Sequence, residues 1–455
     1  MNQSFSAENF VDIFYSENRK GNNLEFKFDI FNPLTSITND LVSIKSAFKN
    51  GIYSTIGEKD SANQKKEQLK KDKFELLKKI LFDEVESKFE QSILKTISIA
   101  TKKIKNKIVY SVNTDRPEVY FLFKQLYKNL QFAFQVMPSD RNLVVKQVIN
   151  VLNNDFPKYI IRADIKDFFE SIPHDKLRAI INCNTELSPS SKKIIYFILN
   201  KYKEITGLDS GIPRGIGVSA FLSEVYMKKI DDYIKSMPNL TYYARYVDDM
   251  ILVFTPITKY DDYSGIFNKL QNKVNEIGLT LHDDGSKKKE IEQFSEKKKS
   301  EYNFDFLGYN LVCSNGSIRV GLAKKKIDKY KVKINNAINS YNKSLSQNNL
   351  KNFSNYKLLI NRIKFLTGNV RLLGSKSNTI IGIYCSNYLL SDSTSLSGLD
   401  KYLEAKVKTV LVGTLSKTVV KIRDELNQFK FTKGFDRKSF YKFNKKELMN
   451  IMKVF

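Results

Sequence analysis

The chain has 455 residues, with 75 lysines and arginines against 49 aspartates and glutamates, a formal net charge of +26. An excess of that size, spread along most of the chain, fits a polyanionic partner, nucleic acid before an anionic membrane surface. Three scattered cysteines (Cys183, Cys313, Cys385) and two histidines (His174, His282) exclude a disulfide framework, a thiolate zinc site and a histidine-rich metal site.

Hydrophobic residues make up 42% of the chain, enough to bury the cores of two or three structural units. The amino-terminal stretch lacks a basic-then-apolar signal pattern, and no apolar run is long enough to span a bilayer. The expectation is a cytoplasmic, bacterial-type protein without a membrane partner. Residues 1–110 carry no motif and read as a mostly helical extension. Phe26 to Leu34 reads as a strand and loop ending at Pro33. Phe74 to Phe82 and the continuation to Ile99 have helical spacing, with the lysine run at 65–79 as a solvated helix face.

Residues 116–152 read as strand and helix pieces, with a turn at Met137-Pro-Ser-Asp-Arg141 and a helix from Asn142 to Leu152. Arg141 and Lys146 are either phosphate-holding cations or ordinary surface charges. The β-type run Tyr159-Ile-Ile-Arg-Ala163 ends on Asp164, and a helix-compatible segment follows it to Pro173. Strand ends are where open sheets place ligand-facing groups. Gly211-Ile-Pro-Arg-Gly215 forms a defined loop before a helix with Leu222, Val225, Tyr226 and Lys229 at helical spacing. Its glycines serve either turns alone or the close approach of a backbone to a base or sugar.

Tyr242 to Phe254 reads as two strands joined by a very tight turn at Val247-Asp248-Asp249. Two unit like charges about 4 Å apart repel by roughly 4 kcal/mol at an effective dielectric of about 20. A divalent cation removes that penalty. Asp164 on a neighbouring strand of one antiparallel sheet would complete a trio able to hold two such ions, aligning an attacking hydroxyl and neutralising phosphates. Further on, Ile266 to Ile277 reads as a helix, Gly278 to His282 as a strand, and Asp283-Asp284 as a solvated turn. Phe304 to Val312 has the look of a hairpin arm. From Lys324 the pattern is helical and basic, with helices over Ile327–Leu345, Tyr356–Phe365 and Leu399–Phe429. Lys324, Lys325 and Lys326 are candidates to face a nucleic-acid backbone. The aromatics from Phe429 to Phe443 read as core-docking more than base-stacking.

Five of these elements, in this order, resemble successive motifs of reverse transcriptases over about residues 130–312. They are Asp164 with its Phe168-Phe169, the Gly-Ile-Pro-Arg-Gly loop, Tyr-Val-Asp-Asp, Gly-Leu-Thr-Leu with its following lysines, and Phe-Leu-Gly-Tyr. The loop variant and Arg362-Ile-Lys-Phe-Leu-Thr-Gly-Asn369 look closest to bacterial defence-associated, abortive-infection-like and retron-like members. The resemblance implies an α+β right-hand polymerase. Fingers and an antiparallel-sheet palm would occupy 111–320, after the extension 1–110, and a basic α-helical thumb and C-terminal domain 321–455. It implies Asp164, Asp248 and Asp249 as catalytic residues and, with the Ile165 carbonyl, as ligands of two Mg2+ ions, Mn2+ being able to substitute. It implies Phe169 beneath the incoming sugar, favouring deoxynucleotides. Arg214, where many relatives have glutamine, and Gly215 would lie at the nucleotide. Lys287, or its neighbour Lys288, would lie near the pyrophosphate, with Arg141 clamping the triphosphate.

The activity so implied is an RNA-directed DNA polymerase in antiviral (phage) defence. Its partners would be a noncoding template RNA, the DNA product, dNTPs and a partner defence protein. A template-independent, protein-primed DNA polymerase and a non-catalytic RNA-binding scaffold are the alternatives.

Overall fold

Helix ends follow their capping residues closely. In the helix Ile56–Leu81, Thr55 Oγ1 accepts from the Glu58 N–H at 3.2 Å while Glu58 accepts from the Thr55 N–H at 3.0 Å. Asp140 caps the helix Arg141–Leu152 through the N–H groups of Asn142 and Leu143. Ser188 starts the helix Pro189–Thr206, and Gly207 ends it at a φ of +74°. The computed structural model describes residues 2–90, 93–104, 107–258, 262–263, 265–285, 287–292, 301–314, 316–346, 352–372, 379–410 and 416–455. The part of the Leu399–Phe429 segment at 411–415 lies outside these. Around it stand two helices, Thr394–Val407 and Ser416–Asn427.

The strands are β1 (Ile99–Ile104), β2 (Lys107–Val112), β3 (Tyr159–Asp164), β4 (Leu240–Tyr246), β5 (Asp249–Phe254), β6 (Lys289–Glu292), β7 (Tyr302–Phe306), β8 (Tyr309–Ser314), β9 (Ser317–Leu322), β10 (Asn369–Arg371), β11 (Ile380–Gly382) and β12 (Phe440–Tyr441). β1 and β2 pair as an antiparallel hairpin. One four-stranded sheet has the order β4-β5-β3-β6, and another is the antiparallel meander β7-β8-β9. Every residue of β3 and β5 is buried, so these strands read as continuous apolar runs instead of alternating ones. The fold is α+β, with mostly antiparallel strands and a largely helical C-terminal part. Among the described residues no helix is long and apolar enough to cross a membrane.

Four expectations change. Phe26–Leu34 is a helical turn, Leu24–Lys27, and a 3-10 segment, Asp29–Leu34. Phe28, Phe31 and Leu34 are all buried, and a three-residue spacing aligns them on one face of a 3-10 helix. Residues 117–134 are one helix without a strand piece, its apolar run buried on most sides. Gly278–His282 is not a strand: only Leu281 pairs, as a single bridge to Ile165. Phe304–Val312 contains both arms of a hairpin, β7 and most of β8, turned at Leu307-Gly308.

The chain divides into two compact units, 1–139 with 161–252 and 262–288, and 140–160 with 253–261 and 289–455. In the first, the helix Ala7–Arg19 packs Phe10 and Phe14 against Phe121 and Phe31, and buried Glu17 accepts from Tyr120, Lys124 and Lys20. In the second, Ile334, Ile338, Leu359, Ile363, Leu399 and Phe431 form a core from several helices. Phe443 joins that core, with Phe429, Phe435 and Tyr441 packed against it and Phe440 exposed. Packing of this aromatic run therefore predominates, as its composition suggests.

Candidate active site

β4 and β5 are joined by two residues, Val247 and Asp248. Val247 has a φ of +63°, and a β-branched residue there costs on the order of 1–3 kcal/mol unless its surroundings fix it. Both carbonyls of the turn are fixed. Val247 O accepts from Arg245 Nη1 at 3.0 Å, and Asp248 O accepts from the Ile165 N–H at 3.1 Å. Arg245 is itself buried and clamped by Glu224, at 2.7 and 3.1 Å, and by Asp231, at 2.7 and 2.9 Å.

The Ile165–Asp248 backbone bond ties the end of β3 to this turn. Asp164 O accepts from the His282 N–H at 2.9 Å, and Lys166 N–H donates to Thr280 O at 2.8 Å. Asp164, Asp248 and Asp249 are thereby gathered at one end of the sheet. Burial raises the Asp248 carboxyl above the usual carboxylate range, with the Asp164 charge adding to it. Burial pushes Asp249 up to about 6 against the pull of Arg162, with Asp164 and Asp248 adding to the rise.

Two cations stand among these carboxylates. Arg162 grips Asp249 with both ends, Nε to Oδ1 and Nη2 to Oδ2, each 3.0 Å. Lys287 Nζ lies 2.6 Å from Asp164 Oδ1 and 2.9 Å from His282 Nε2. Among the described residues no group of three or more acidic, histidine or cysteine side chains is arranged to hold a metal ion. The donor set nonetheless suits a hard cation. Asp164 and Asp248 are carboxylates held together by backbone bonds and crowded by their own charge, a strain that a divalent ion relieves. Lys287 occupies the position of such a charge at Asp164.

Beyond Asp164 the chain turns through Asp167, at a φ of +44°, into Phe168 and Phe169. Phe168 is buried and Phe169 half-buried. Arg214 lies over the Phe169 ring, Cζ 4.9 Å from its centroid, and pairs bidentately with Glu170 at 3.0 and 3.1 Å. Gly215 has a φ of +103°, and a Cβ there would meet Val109 Cγ1 at 2.5 Å and Tyr110 O at 2.7 Å. The close approach this glycine permits is to β2 of its own chain. A cavity of about 810 Å³ adjoins this region, lined by Lys103, Lys107, Tyr110, Asp167, Glu170 and Tyr202 among others.

In the second unit, Arg141 donates to Leu307 O and lies over Tyr309, Cζ 5.1 Å from the ring centroid. Lys326 Nζ stands 5.3 Å from the same centroid. Burial, with Arg141 adding, lowers Lys326 to about 8. Lys324 and Lys325 are exposed. Reading the sequence missed Arg162, Arg245, Glu170 and the hairpin lysines Lys103 and Lys107. Arg162 had a signal: it stands two positions before Asp164 in a strand and so faces the same side.

Residues 94–311 match the family model for reverse transcriptase (RNA-dependent DNA polymerase). Over 84 residues, 17% of this chain and 10% of the relative, the chain is 33% identical to an uncharacterized 91 kDa protein in the cob intron of Schizosaccharomyces pombe. The chain thus spans about a tenth of that relative's length. Among solved structures it is similar to apo telomerase from Candida tropicalis (12% identity, 79% of this chain and 67% of that one, TM-score 0.37). It is also similar to the form of that telomerase truncated from its C-terminal domain (12%, 49% and 54%, TM-score 0.36). Telomerase from Candida albicans with a TWJ fragment of telomeric RNA is a third (12%, 78% and 66%, TM-score 0.34).

Proposed function

We propose that the chain is a reverse transcriptase, an RNA-directed DNA polymerase that adds dNTPs to a primer hydroxyl. The observation that carries the reading is the Ile165–Asp248 backbone bond of 3.1 Å. It sets Asp164 and Asp248 side by side at the end of a buried sheet. Asp164, Asp248 and Asp249, with the Ile165 carbonyl, are the groups that would hold Mg2+, or Mn2+ in its place. Bound there, the ions would supply charge neutralisation for the phosphates and activation of the primer hydroxyl. Phe169 presents its ring where a 2′-hydroxyl would collide with it. Arg214, held by Glu170, orients that ring and carries positive charge to the nucleotide side. Lys287, 37% exposed on a flexible arm, is free to move from Asp164 to the departing pyrophosphate.

The first unit and the sheets would then serve as fingers and palm, and the helical part after residue 321 as a thumb. The Gly211–Gly215 loop with Arg214 is the feature that favours a defence-associated member, for which a bound noncoding RNA and a partner defence protein are proposed with it.

The test is dNTP incorporation by purified protein on a primed RNA template. Asp248→Ala is expected to lose at least about 10²-fold, as when other preorganised electrostatic groups are removed. Activity equal to wild type overturns the proposal. A random-sequence product covalently attached to the protein would favour the protein-primed alternative.

A further inference from the structure

Glu170 follows Phe169 directly in the chain, and its carboxylate takes one edge of the Arg214 guanidinium. Arg214 donates from Nε to Oε1 at 3.1 Å and from Nη2 to Oε2 at 3.0 Å. Its guanidinium carbon lies 4.9 Å from the centroid of the Phe169 ring. The side chains of Arg214 and Glu170 are 26% and 40% exposed, and an ion pair so placed adds little to stability. What parallel two-point bonding supplies is geometry: it fixes the plane of the guanidinium.

The backbones around this trio are already fixed. The Ile212 N–H donates to Phe169 O at 2.7 Å, the Glu170 N–H to Asp167 O at 2.9 Å, and the Tyr110 N–H to Arg214 O at 2.7 Å. Only side-chain torsions remain to be set. The Phe169 ring is limited by Phe168, with centroids 5.6 Å apart, and by the guanidinium. The guanidinium is limited in turn by Glu170, which leaves Nη1 as the one nitrogen outside the pair.

We propose that Glu170 is a positioning residue for sugar discrimination: by holding the Arg214 guanidinium in one plane, it keeps the Phe169 ring where a 2′-hydroxyl meets it. The inference rests on the polymerase reading above and adds Glu170 to it. Without Glu170, Arg214 is free to leave the ring. Without Arg214, Glu170 places an uncompensated negative charge beside a polyanionic substrate.

The test is competitive incorporation of matched rNTP and dNTP by the full chain on a primed RNA template, with kcat and KM measured for each and thermal unfolding recorded for every variant. Glu170→Ala is expected to lower the preference for dNTP by about two- to fivefold, the worth of a cation–π contact at an exposed site, with kcat for dNTP and the unfolding temperature near wild type. Glu170→Gln keeps one acceptor oxygen and should fall between the two. Arg214→Gln is expected to raise the KM for dNTP. Adding Glu170→Gln to it should bring that KM back by at least about twofold, the smallest coupling usual between residues in contact. Should Glu170→Ala not fold, Glu170→Gln and the double variant carry the same test. A Glu170→Ala preference equal to wild type, while Phe169→Ala shifts it, overturns the proposal, as does a double variant whose KM is the product of the single effects. Folded wild-type protein that incorporates neither nucleotide overturns the polymerase reading instead.

Discussion

Asp249 is under two opposing influences, a buried setting that disfavours its charge and an arginine that favours it. Burial dominates, and its pKa is pushed up to about 6 from an ordinary 3.8. A carboxyl raised in the folded state binds protons that the unfolded chain has already released. Its contribution to stability is therefore present at low pH and falls as pH rises through the interval between the two values. In metal-free buffer, wild type is expected to lose stability relative to Asp249→Asn as pH rises from about 4 to about 6, with no further change above that. Denaturant unfolding of the two proteins across that range measures it, and a difference independent of pH contradicts the assignment. Phe169 makes a second prediction at this scale. Its half-buried ring is braced by Arg214 at 4.9 Å, so Phe169→Ala should raise ribonucleotide incorporation relative to deoxynucleotide by at least about tenfold, the usual worth of one steric exclusion. Competitive incorporation of matched rNTP and dNTP reads the ratio. The acidic residues were legible in the sequence because each ends or turns a β-type run. Arg162 was legible only to a reader who carried the strand's two-residue period backwards from Asp164. Arg245 was not: its partners Glu224 and Asp231 lie on a helix whose placement behind the turn no local pattern records.

The β4–β5 turn holds a β-branched residue, Val247, at positive φ, and its support comes from the helix Gly217–Lys235. Arg245 links the two by donating to Glu224 and Asp231 on the helix and to Val247 O in the turn. Arg245→Met removes the cation from between two carboxylates, one of them, Glu224, buried. The expected loss is about 3–5 kcal/mol of stability, the cost of leaving buried charge unpaired. Urea unfolding measures it, and a loss under 1 kcal/mol would show that the clamp is not needed. Two of the elements misread from sequence share one physical cause. Phe26–Leu34 and Gly278–His282 are short, and over such lengths apolar residues fit several periods. Tertiary contacts decided between them: burial of Phe28, Phe31 and Leu34 selected a 3-10 turn, and pairing of Leu281 alone left the second segment without a ladder. The other long helices and the buried strands, where pattern and packing agree, were readable, whereas Pro117–Phe134, buried on most sides, showed no clear helical period.

At the scale of the whole molecule the formal charge of +26 says that a polyanion is attracted, and it does not say where. Burial separates the candidates. Lys324 and Lys325 open the helix Lys324–Ser346 and are exposed, whereas Lys326 is half-buried beside Tyr309 and Arg141. An exposed lysine that neutralises a phosphate releases a condensed counterion, and each such contact on single-stranded nucleic acid steepens the log–log salt dependence by about 0.7. Lys324→Gln and Lys325→Gln should therefore each weaken RNA binding about equally across sequences and flatten the salt slope by about 0.7. Lys326→Gln should leave that slope unchanged and raise stability at neutral pH instead, because burial and Arg141 disfavour its ammonium in the folded state and lower it to about 8. Filter binding of a labelled RNA between about 50 and 200 mM salt, the range over which such contacts lose most of their affinity, distinguishes the three lysines. Equal slope changes at all three would place Lys326 on the nucleic-acid surface with its neighbours. No change at Lys324 and Lys325 would move the polyanion-binding surface to another part of the chain, the exposed lysines of the β1–β2 hairpin being the next to substitute.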